Sequence, residues 1–209
     1  MSVSIESTEP TSPTRSQASR RAETRRRLLE AATAVFAEEG LHAATSVAIA
    51  KRAGLGTGTF YLHFSDKHSL FEEIVDAALG ELRERQERAV KAEPSRADDL
   101  RLLLEVLVDF TEDKRDLIRV AFERGGENAA VAGRIHDDVA GRVEATLRRH
   151  PELPIHPAAA AQARAATLIR VIAWWAEDPR RATREEIVET LFHLAPTRLV
   201  RAAASRAET

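Results

Sequence analysis

The sequence predicts an all-α fold of about nine helices, in which a small three-helix unit is followed by a larger helical domain. Apolar residues recur at intervals of three and four along most of the chain, which is the period of a helix buried on one side. Capping residues, glycines and prolines interrupt these stretches where helices would end, and no stretch alternates apolar and polar residues as a strand does. We predict helices at residues 19–39, 46–53, 57–63, 67–90, 95–110, 114–123, 127–149, 158–177 and 183–195.

Charge is distributed unevenly along the chain. The Ser/Thr/Pro-rich residues 1–18 are predicted to be a disordered tail, residues 19–66 the three-helix unit, and residues 67–209 the larger domain. The 209 residues carry a formal net charge of −2, yet residues 14–67 hold nine Lys/Arg against five Asp/Glu. A basic unit on an acidic remainder suits a module that meets a phosphate backbone at one end.

The composition excludes several classes of protein. The chain has no cysteine, which excludes disulfides, thiolate catalysis and Cys-ligated metals, and fits a reducing compartment. No apolar run reaches about 18 residues without a charge, and the N-terminus lacks the apolar core of a signal peptide. We therefore expect a cytoplasmic protein without a membrane span.

The first predicted helix combines an apolar stripe with a basic beginning. Gly40 should end this helix, because glycine accepts the left-handed conformation of a C-cap. The stripe expected to be buried is Leu28, Ala32, Val35 and Phe36. The basic beginning is Arg20, Arg21, Arg25, Arg26 and Arg27. These arginines fit either a solvated face or a set of phosphate contacts.

Residues 45–67, TSVAIAKRAGLGTGTFYLHFSDK, predict a helix-turn-helix, the motif that reads DNA. Thr45 is a good N-cap for a short helix with an apolar face, and Gly54 stops that helix. A second short helix can start near Thr57. Phe60 and Phe64 share one face of it and should fill the small core.

The outward residues of this motif are the predicted DNA contacts. Thr57 and Gly58 would approach base edges, whereas Tyr61, His63 and Lys67 would donate to phosphates. The full predicted set is Thr45, Ser46, Thr57, Gly58, Thr59, Tyr61, Leu62, His63 and Lys67. The alternative is a packed helical hairpin with no partner.

The first third of the chain resembles the TetR family of bacterial transcriptional repressors. The resemblance lies in residues 25–40, RRRLLEAATAVFAEEG, in residues 45–67 with their GTFYLHF core, and in Leu70 and Phe71. It implies an all-α homodimer with an N-terminal DNA-binding domain and a C-terminal domain that dimerises and usually binds a small molecule. The chain departs from the family at Val47, where some members carry a basic residue, and at Thr57-Gly58, which offer no Gln or Arg to read a base.

The last two predicted helices indicate a homodimer. Residues 165–175 are apolar nearly all round, so that helix must be covered on two sides. The last helix carries two apolar stripes, which are Ile187, Leu191 and Leu194, and Val188, Phe192 and Ala195. A two-fold interface of four helices, made by residues 158–177 and 183–195 of each subunit, would cover both helices. The alternative is a monomer with a buried central helix.

The sequence favours a ligand site over a catalytic or metal site. His136, Asp137 and Asp138 are adjacent, so their side chains point in different directions, and no second His stands at a ligand-like spacing. No nucleotide-binding loop, nucleophile elbow or zinc-protease motif is present, and we expect no cofactor and no metal. A pocket between helices four and eight is predicted to be lined by Phe110, Arg119, Phe122, Glu123, His136 and Trp174. The alternative is that these are core aromatics flanked by solvated charges.

Taken together, these features favour a dimeric transcriptional repressor that a small-molecule effector releases from a palindromic, double-stranded DNA operator. A constitutive DNA-binding regulator without small-molecule control is the alternative. A helical enzyme would need converging catalytic groups, which we do not find.

Overall fold

The computed structural model describes residues 15–94, 100–123, 128–149, 151 and 153–195. Within these residues the chain is helical, with no strand, and the predicted all-α fold is confirmed. The helices are α1 Arg15–Ala43, α2 Ser46–Arg52, α3 Thr57–Tyr61, α4 Lys67–Ala92, α5 Leu100–Asp113, α6 Arg115–Ala121, α7 Ala129–Leu147, α8 Pro157–Glu177 and α9 Arg184–His193. A short 3-10 helix, Pro179–Arg181, joins α8 to α9.

α1 starts earlier than predicted. It begins at Arg15 rather than at residue 19, so four residues assigned to the tail are helical, and the rest of the tail lies outside the described residues. The predicted stripe is fully buried, and the ring of Phe36 meets that of Phe71 edge to face at 5.3 Å. Gly40 has φ 75° and ψ 165°, which interrupts the helix where the sequence predicted its end.

Local capping chemistry fixes the ends of the short helices. The Thr45 hydroxyl accepts the Ala48 N–H at 3.1 Å, as predicted for the N-cap of α2. α2 closes with a Schellman motif, in which Gly54 N–H donates to Lys51 C=O and Leu55 N–H to Ala50 C=O. Gly54 takes φ +66°, the left-handed conformation that this motif requires.

Capping boxes start two of the longer helices. Asp66 and Ser69 form one at the start of α4, and Thr183 and Glu186 form another at the start of α9, where the sequence predicts a helix from residue 183. The predicted helix start at residue 95 and the predicted break between residues 123 and 127 lie outside the described residues.

The larger domain packs α5, α8 and α9 into one apolar cluster. Trp175 lies at its centre, fully buried, and its indole N–H donates to the Ala182 carbonyl at 2.9 Å. Ile172 and Leu191 belong to the same cluster and are buried within the subunit. Both side chains are therefore covered by their own subunit, and a charge placed at either would disturb this cluster rather than report on dimerisation.

α6 connects the two parts of the molecule. It packs against α1 on one side and α8 on another, and its Val120 and Ala121 belong to the same apolar cluster as the α1 stripe. Asn128, buried just before α7, donates its side-chain N–H to the Val120 carbonyl. α6 and α7 are each shorter than predicted, since α6 ends at Ala121 and α7 spans Ala129–Leu147.

Candidate nucleic-acid interface and internal cavity

The α2–turn–α3 unit is anchored from its inner side. Ile49, Ala50 and Phe60 are completely buried, and Phe64 nearly so, as the helical spacing predicted for the two phenylalanines. The rings of Phe60 and Phe64 lie 5.9 Å apart. Burial of two large aromatics beneath a helix of five residues fixes its orientation, because so short a helix is not stable on its own.

The outer surface of this unit carries the side chains predicted to contact DNA. Leu62 is 75% exposed and Tyr61 58% exposed, an unusual position for large apolar groups without a partner. A Cβ added to Gly58 would meet no atom within 4 Å, so this backbone is open to close approach. Thr45 is exposed as well, and the rest of the set, Ser46, Thr57, Thr59, His63 and Lys67, is partly exposed.

Val47 is a surface residue that the sequence pattern misplaced. The spacing of Val47 with Ile49, Ala50 and Ala53 assigned it to the apolar face of α2. In the structure it is 58% exposed, whereas the other three are buried. It stands at the second position of α2, next to Ser46 and close to the Thr45 cap. Its exposure adds an apolar side chain to the outer surface.

His63 lies at the edge of this surface in a basic environment. Burial lowers the pKa of its imidazole, and the nearby charges of Arg21 and Arg25 lower it further. Its Nδ1 is buried and has no hydrogen-bond partner among the described residues. The lowered pKa favours the neutral imidazole of His63 in the free protein, and a neutral imidazole can donate through one nitrogen only.

Several cations predicted to meet phosphates make contacts within the protein. Arg25 donates to both carboxylate oxygens of Glu73 in α4, and its Nη1 donates to the His63 carbonyl at 3.0 Å. Its guanidinium also lies 4.4 Å from the centre of the Phe64 ring. Arg25 thus ties α1, α4 and the end of α3 together, so a purely phosphate-binding role is wrong for it.

Three other cations also have protein partners. Arg26 pairs with Glu23 and Glu30 along α1, and Arg27 donates to the Ala53 carbonyl at the α2 turn. The Lys67 ammonium donates to the His42 carbonyl at 2.8 Å. An ammonium has three donors, so this bond orients Lys67 and leaves it able to meet a phosphate.

A cavity of about 390 Å³ lies in the larger domain, between α4, α5, α6, α7 and α8. Its walls are mostly aliphatic, and Phe110 and Phe122 line it, as the sequence analysis expected. A volume of this size lies within the range of roughly 300–1,000 Å³ that is typical of small-molecule sites. The position between α4 and α8 agrees with the expected one.

Four of the six residues predicted for this pocket lie elsewhere. Arg119 is 51% exposed at its side chain and pairs with Asp116 at 3.2 Å. Glu123 is exposed beside Gly40, and His136 contacts Asp137 at 3.7 Å. Trp174 is 39% exposed beneath Arg181. The expectation that Arg119, Phe122 and His136 face one cavity is therefore wrong as a set.

The polar groups that do line the cavity are Gln86, Arg142, Thr146 and Arg164. Neither arginine was predicted from the sequence. Arg164 stands in the alanine-rich first half of α8, where a cation among small apolar residues was the available signal. Burial lowers the pKa of its guanidinium. Its Nη2 and the Nε of Arg142 are buried without a hydrogen-bond acceptor among the described residues.

A second cavity, of about 370 Å³, lies where the DNA-binding unit meets the larger domain. The end of α1, from Phe36 to Gly40, forms one wall, and residues of α6 and α8 form the others. Arg119 and Glu123 line this second cavity, and Phe122 lines both cavities. The two cavities are therefore adjacent, and α6 contributes residues to both.

Among the residues that the structure describes, no three side chains of His, Asp or Glu converge as metal ligands would. None of the helices in this part of the chain combines the length and the apolar character needed to cross a bilayer.

Comparison with known proteins finds a matching family model and several relatives of similar sequence. Residues 28–85 match the family model described as bacterial regulatory proteins, tetR family. The transcriptional regulator AcrR from Shigella flexneri is 31% identical over 163 residues, which are 71% of this chain and 74% of that protein. The activator FasR from Mycolicibacterium smegmatis is 34% identical over 103 residues, 49% of this chain and only 47% of its own length.

Solved structures share the fold. The fatty acid degradation regulator FadR from Bacillus halodurans superposes with a TM-score of 0.69 at 20% identity, covering 82% of this chain and 93% of its own. FadR from Thermus thermophilus, solved in complex with lauroyl-CoA, gives 0.59 at 23% identity, covering 81% and 92%. At these identities the likeness concerns the fold alone.

Proposed function

This chain belongs to the TetR family of bacterial transcriptional regulators, which bind DNA, and on that premise we propose that it is a dimeric repressor released from a palindromic operator by a small molecule. The observation that carries the proposal is the outer surface of α3. There Tyr61 and Leu62 are exposed on a short helix whose other side is fixed by Phe60 and Phe64. Such a rigid, exposed helix fits the major groove.

Roles follow from the position of each side chain on this surface. Gly58 lets the backbone approach the bases, and the hydroxyls of Thr57 and Thr59 flank it. Tyr61, His63 and Lys67 donate to phosphates, which sets the register of the helix on the duplex. Leu62, Thr45 and Ser46 complete the contact surface.

A second copy of the chain is proposed to cover the outer faces of α8 and α9. Trp174 on α8 and Leu194 at the end of α9 are large, apolar and exposed in the single chain. Pairing these helices about a two-fold axis would bury both residues. Two α3 helices can then meet successive major grooves, whose centres lie roughly 34 Å apart.

The apolar cavity supplies the proposed ligand control. α6 forms part of its wall through Leu117, Ile118 and Phe122, and packs against α1 of the DNA-binding unit on its other side. A ligand that fits the cavity best when α6 is displaced would change the spacing of the two α3 helices. It would shift the population towards a dimer that cannot span the operator.

The experiment uses duplexes from the DNA flanking the gene that encodes this protein. Fluorescence anisotropy should show binding that weakens steeply with added salt, because phosphate contacts release counterions. The double variant Thr57→Glu/Tyr61→Glu should abolish binding and keep the wild-type circular dichroism, since Tyr61 is exposed and Thr57 partly so. Equal binding by the variant would contradict the assignment of α3.

A transcription reporter under the same flanking DNA gives the sign of the regulation. Repression predicts higher expression when the gene is deleted. Lower expression would assign an activator, as FasR is named.

A further inference from the structure

The apolar cavity has one polar region, and that region is cationic. Among the residues that the structure describes, those lining the cavity are apolar apart from Gln86, Arg142, Thr146 and Arg164, and none of them is acidic. Arg142 comes from α7 and Arg164 from α8, two helices that pack against each other along their length. The polar side chains therefore come from three helices, and both charges are positive.

Acidic neighbours do not balance these two charges. Asp138 contacts Arg142 Nη2 at 3.2 Å, as an ion pair without the alignment of a hydrogen bond. The same carboxylate also pairs with Arg83 at 3.3 Å, so it is shared between two guanidinium groups. Arg164 has no ion pair among the described residues, and its Nη2 is buried. Within the described residues, Arg142 therefore shares its one acidic partner with Arg83, and Arg164 has no acidic partner.

Both arginines are partly exposed, but the Nη2 of Arg164 and the Nε of Arg142 are buried with no acceptor among the described residues. This is unfavourable, because the apolar walls cannot replace the hydration of these nitrogens. An anion placed between Arg142 and Arg164 would remove that penalty and gain charge-assisted hydrogen bonds. The planar guanidinium suits carboxylate and phosphate oxygens, which it can grip with two parallel bonds. A cationic ligand would meet repulsion here, and a neutral one would leave the charges unpaired.

We propose that the effector of this protein is an amphiphilic anion, whose apolar body fills the cavity and whose single carboxylate or phosphate head group binds Arg164 and Arg142. This inference rests on the proposed ligand control and adds the chemical class of the ligand. The aliphatic walls and Phe110 hold the body, and Gln86 and Thr146 supply further polar contacts.

The test measures binding of four probes with the same ten-carbon tail to the full-length protein by calorimetry. Decanoate and decyl phosphate carry anionic heads, 1-decanol a neutral head and decyltrimethylammonium a cationic head. The anions should bind at least about tenfold tighter than the other two, the size expected for a hydrogen bond to a charged group. The stronger of the two anions identifies the head group.

Substitutions at Arg164 test whether the preference for anionic probes arises in the cavity. Arg164→Met should weaken decanoate binding about tenfold or more and leave decanol binding unchanged, whereas Arg164→Lys should retain part of the anion preference. Arg88→Met, at an exposed arginine of α4, is the matched control and should change neither. Without ligand, Arg164→Met should also raise the melting temperature, since it removes an unpaired, partly buried charge.

The outcomes separate this inference from the proposed function. Equal affinity for decanoate and decanol, no binding of any anion, or a melting temperature lowered by Arg164→Met would overturn the anion site. Operator binding by the ligand-free wild type would still stand in each case. Failure of the ligand-free protein to bind DNA would contradict the proposed function instead.

Discussion

Arg25 fixes the end of the recognition helix through its bonds to Glu73 and the His63 carbonyl. Arg25→Met should lower the free energy of unfolding by about 1 kcal/mol, a modest value because both Arg25 and Glu73 are more than a third exposed. It should also weaken operator binding, since α3 loses its tie to α4. Arg26→Met removes only exposed pairs and is the matched control. Urea unfolding measures the first effect, and equal losses for both variants would contradict the bridging role of Arg25.

His63 should make operator binding depend on pH. Burial and two nearby arginines hold its pKa below the ordinary value in the free protein, and phosphates in the complex would raise it. The complex then binds a proton that the free protein lacks, so affinity should rise as the pH falls from about 8 to about 6, across the ordinary histidine pKa. His63→Gln, compared by anisotropy, should flatten this dependence. An unchanged slope would remove His63 from the phosphate contacts.

Single residues differ in how well the sequence predicts their role. The cap at Thr45 and the buried Phe60 depend on neighbours in the chain, so local spacing was enough to predict both. Arg25 and Arg164 depend on partners, or on the lack of one, contributed by distant helices. The sequence gives the charge of a long cationic side chain but not the direction in which that side chain extends.

At the scale of elements, two glycines near the turn between α2 and α3 have different predicted roles. Gly54, in the turn, should matter for stability, and Gly58, in α3, should matter for DNA binding. Gly54 takes φ +66°, and a Cβ there would lie 3.1 Å from Arg27 Nη2, so Gly54→Ala should cost about 1–2 kcal/mol of stability. Gly58→Ala faces open space and favours the helix, so it should leave stability unchanged or raised by up to about 1 kcal/mol. Its methyl group should nevertheless weaken operator binding.

Urea unfolding and anisotropy on the same two variants check this pair. A stable Gly58→Ala that binds DNA like the wild type would show that the backbone there does not approach the duplex. A stable Gly54→Ala would show that the turn tolerates a left-handed alanine.

The ends of the helices were predictable where the chain itself supplies the cap. The starts of α4 and α9 follow from Asp66 and Thr183, whose side chains bond to backbone within the next three residues. The start of α1 was predicted four residues too late, because the Ser/Thr/Pro-rich composition of the first residues favoured a disordered tail up to residue 18. The apolar character of α8 is explained by its neighbours, since α5, α6, α7 and α9 all pack against it.

At the scale of the molecule, the exposed apolar residues of α8 and α9 should control assembly. Leu194 is 56% exposed, so Leu194→Glu should fold normally as a monomer and bury an unpaired charge in the dimer. We expect dimerisation to weaken at least about tenfold, and operator binding with it. Trp174→Glu should act in the same direction, and Val47→Glu, on the DNA-binding unit, should leave the dimer intact. Sedimentation showing intact dimers for both interface variants would move the interface elsewhere.

The arrangement of the two domains could be inferred only in part. Phe110 and Phe122 were expected at the cavity because they are large and apolar, and they line it. Arg119 and Glu123 were assigned to the same cavity because they flank Phe122 in the chain. On a helix, neighbours in sequence point to different sides, and both residues face the junction with α1 instead. Which residues of α6 face each cavity depends on how α6 packs against α1, and the sequence alone does not show that packing.

Selection from a random library of DNA duplexes tests whether the protein binds DNA as a two-fold symmetric dimer through α3. A dimer that presents two α3 helices to one face of a duplex should enrich a two-fold symmetric sequence, with half-sites about one helical turn, roughly 10 base pairs, apart or a multiple of it. The Gly58→Ala variant should bind that sequence more weakly under the same conditions. If no sequence is enriched, or if the enriched sequence lacks two-fold symmetry, the proposal of a dimeric, operator-specific DNA-binding protein is contradicted.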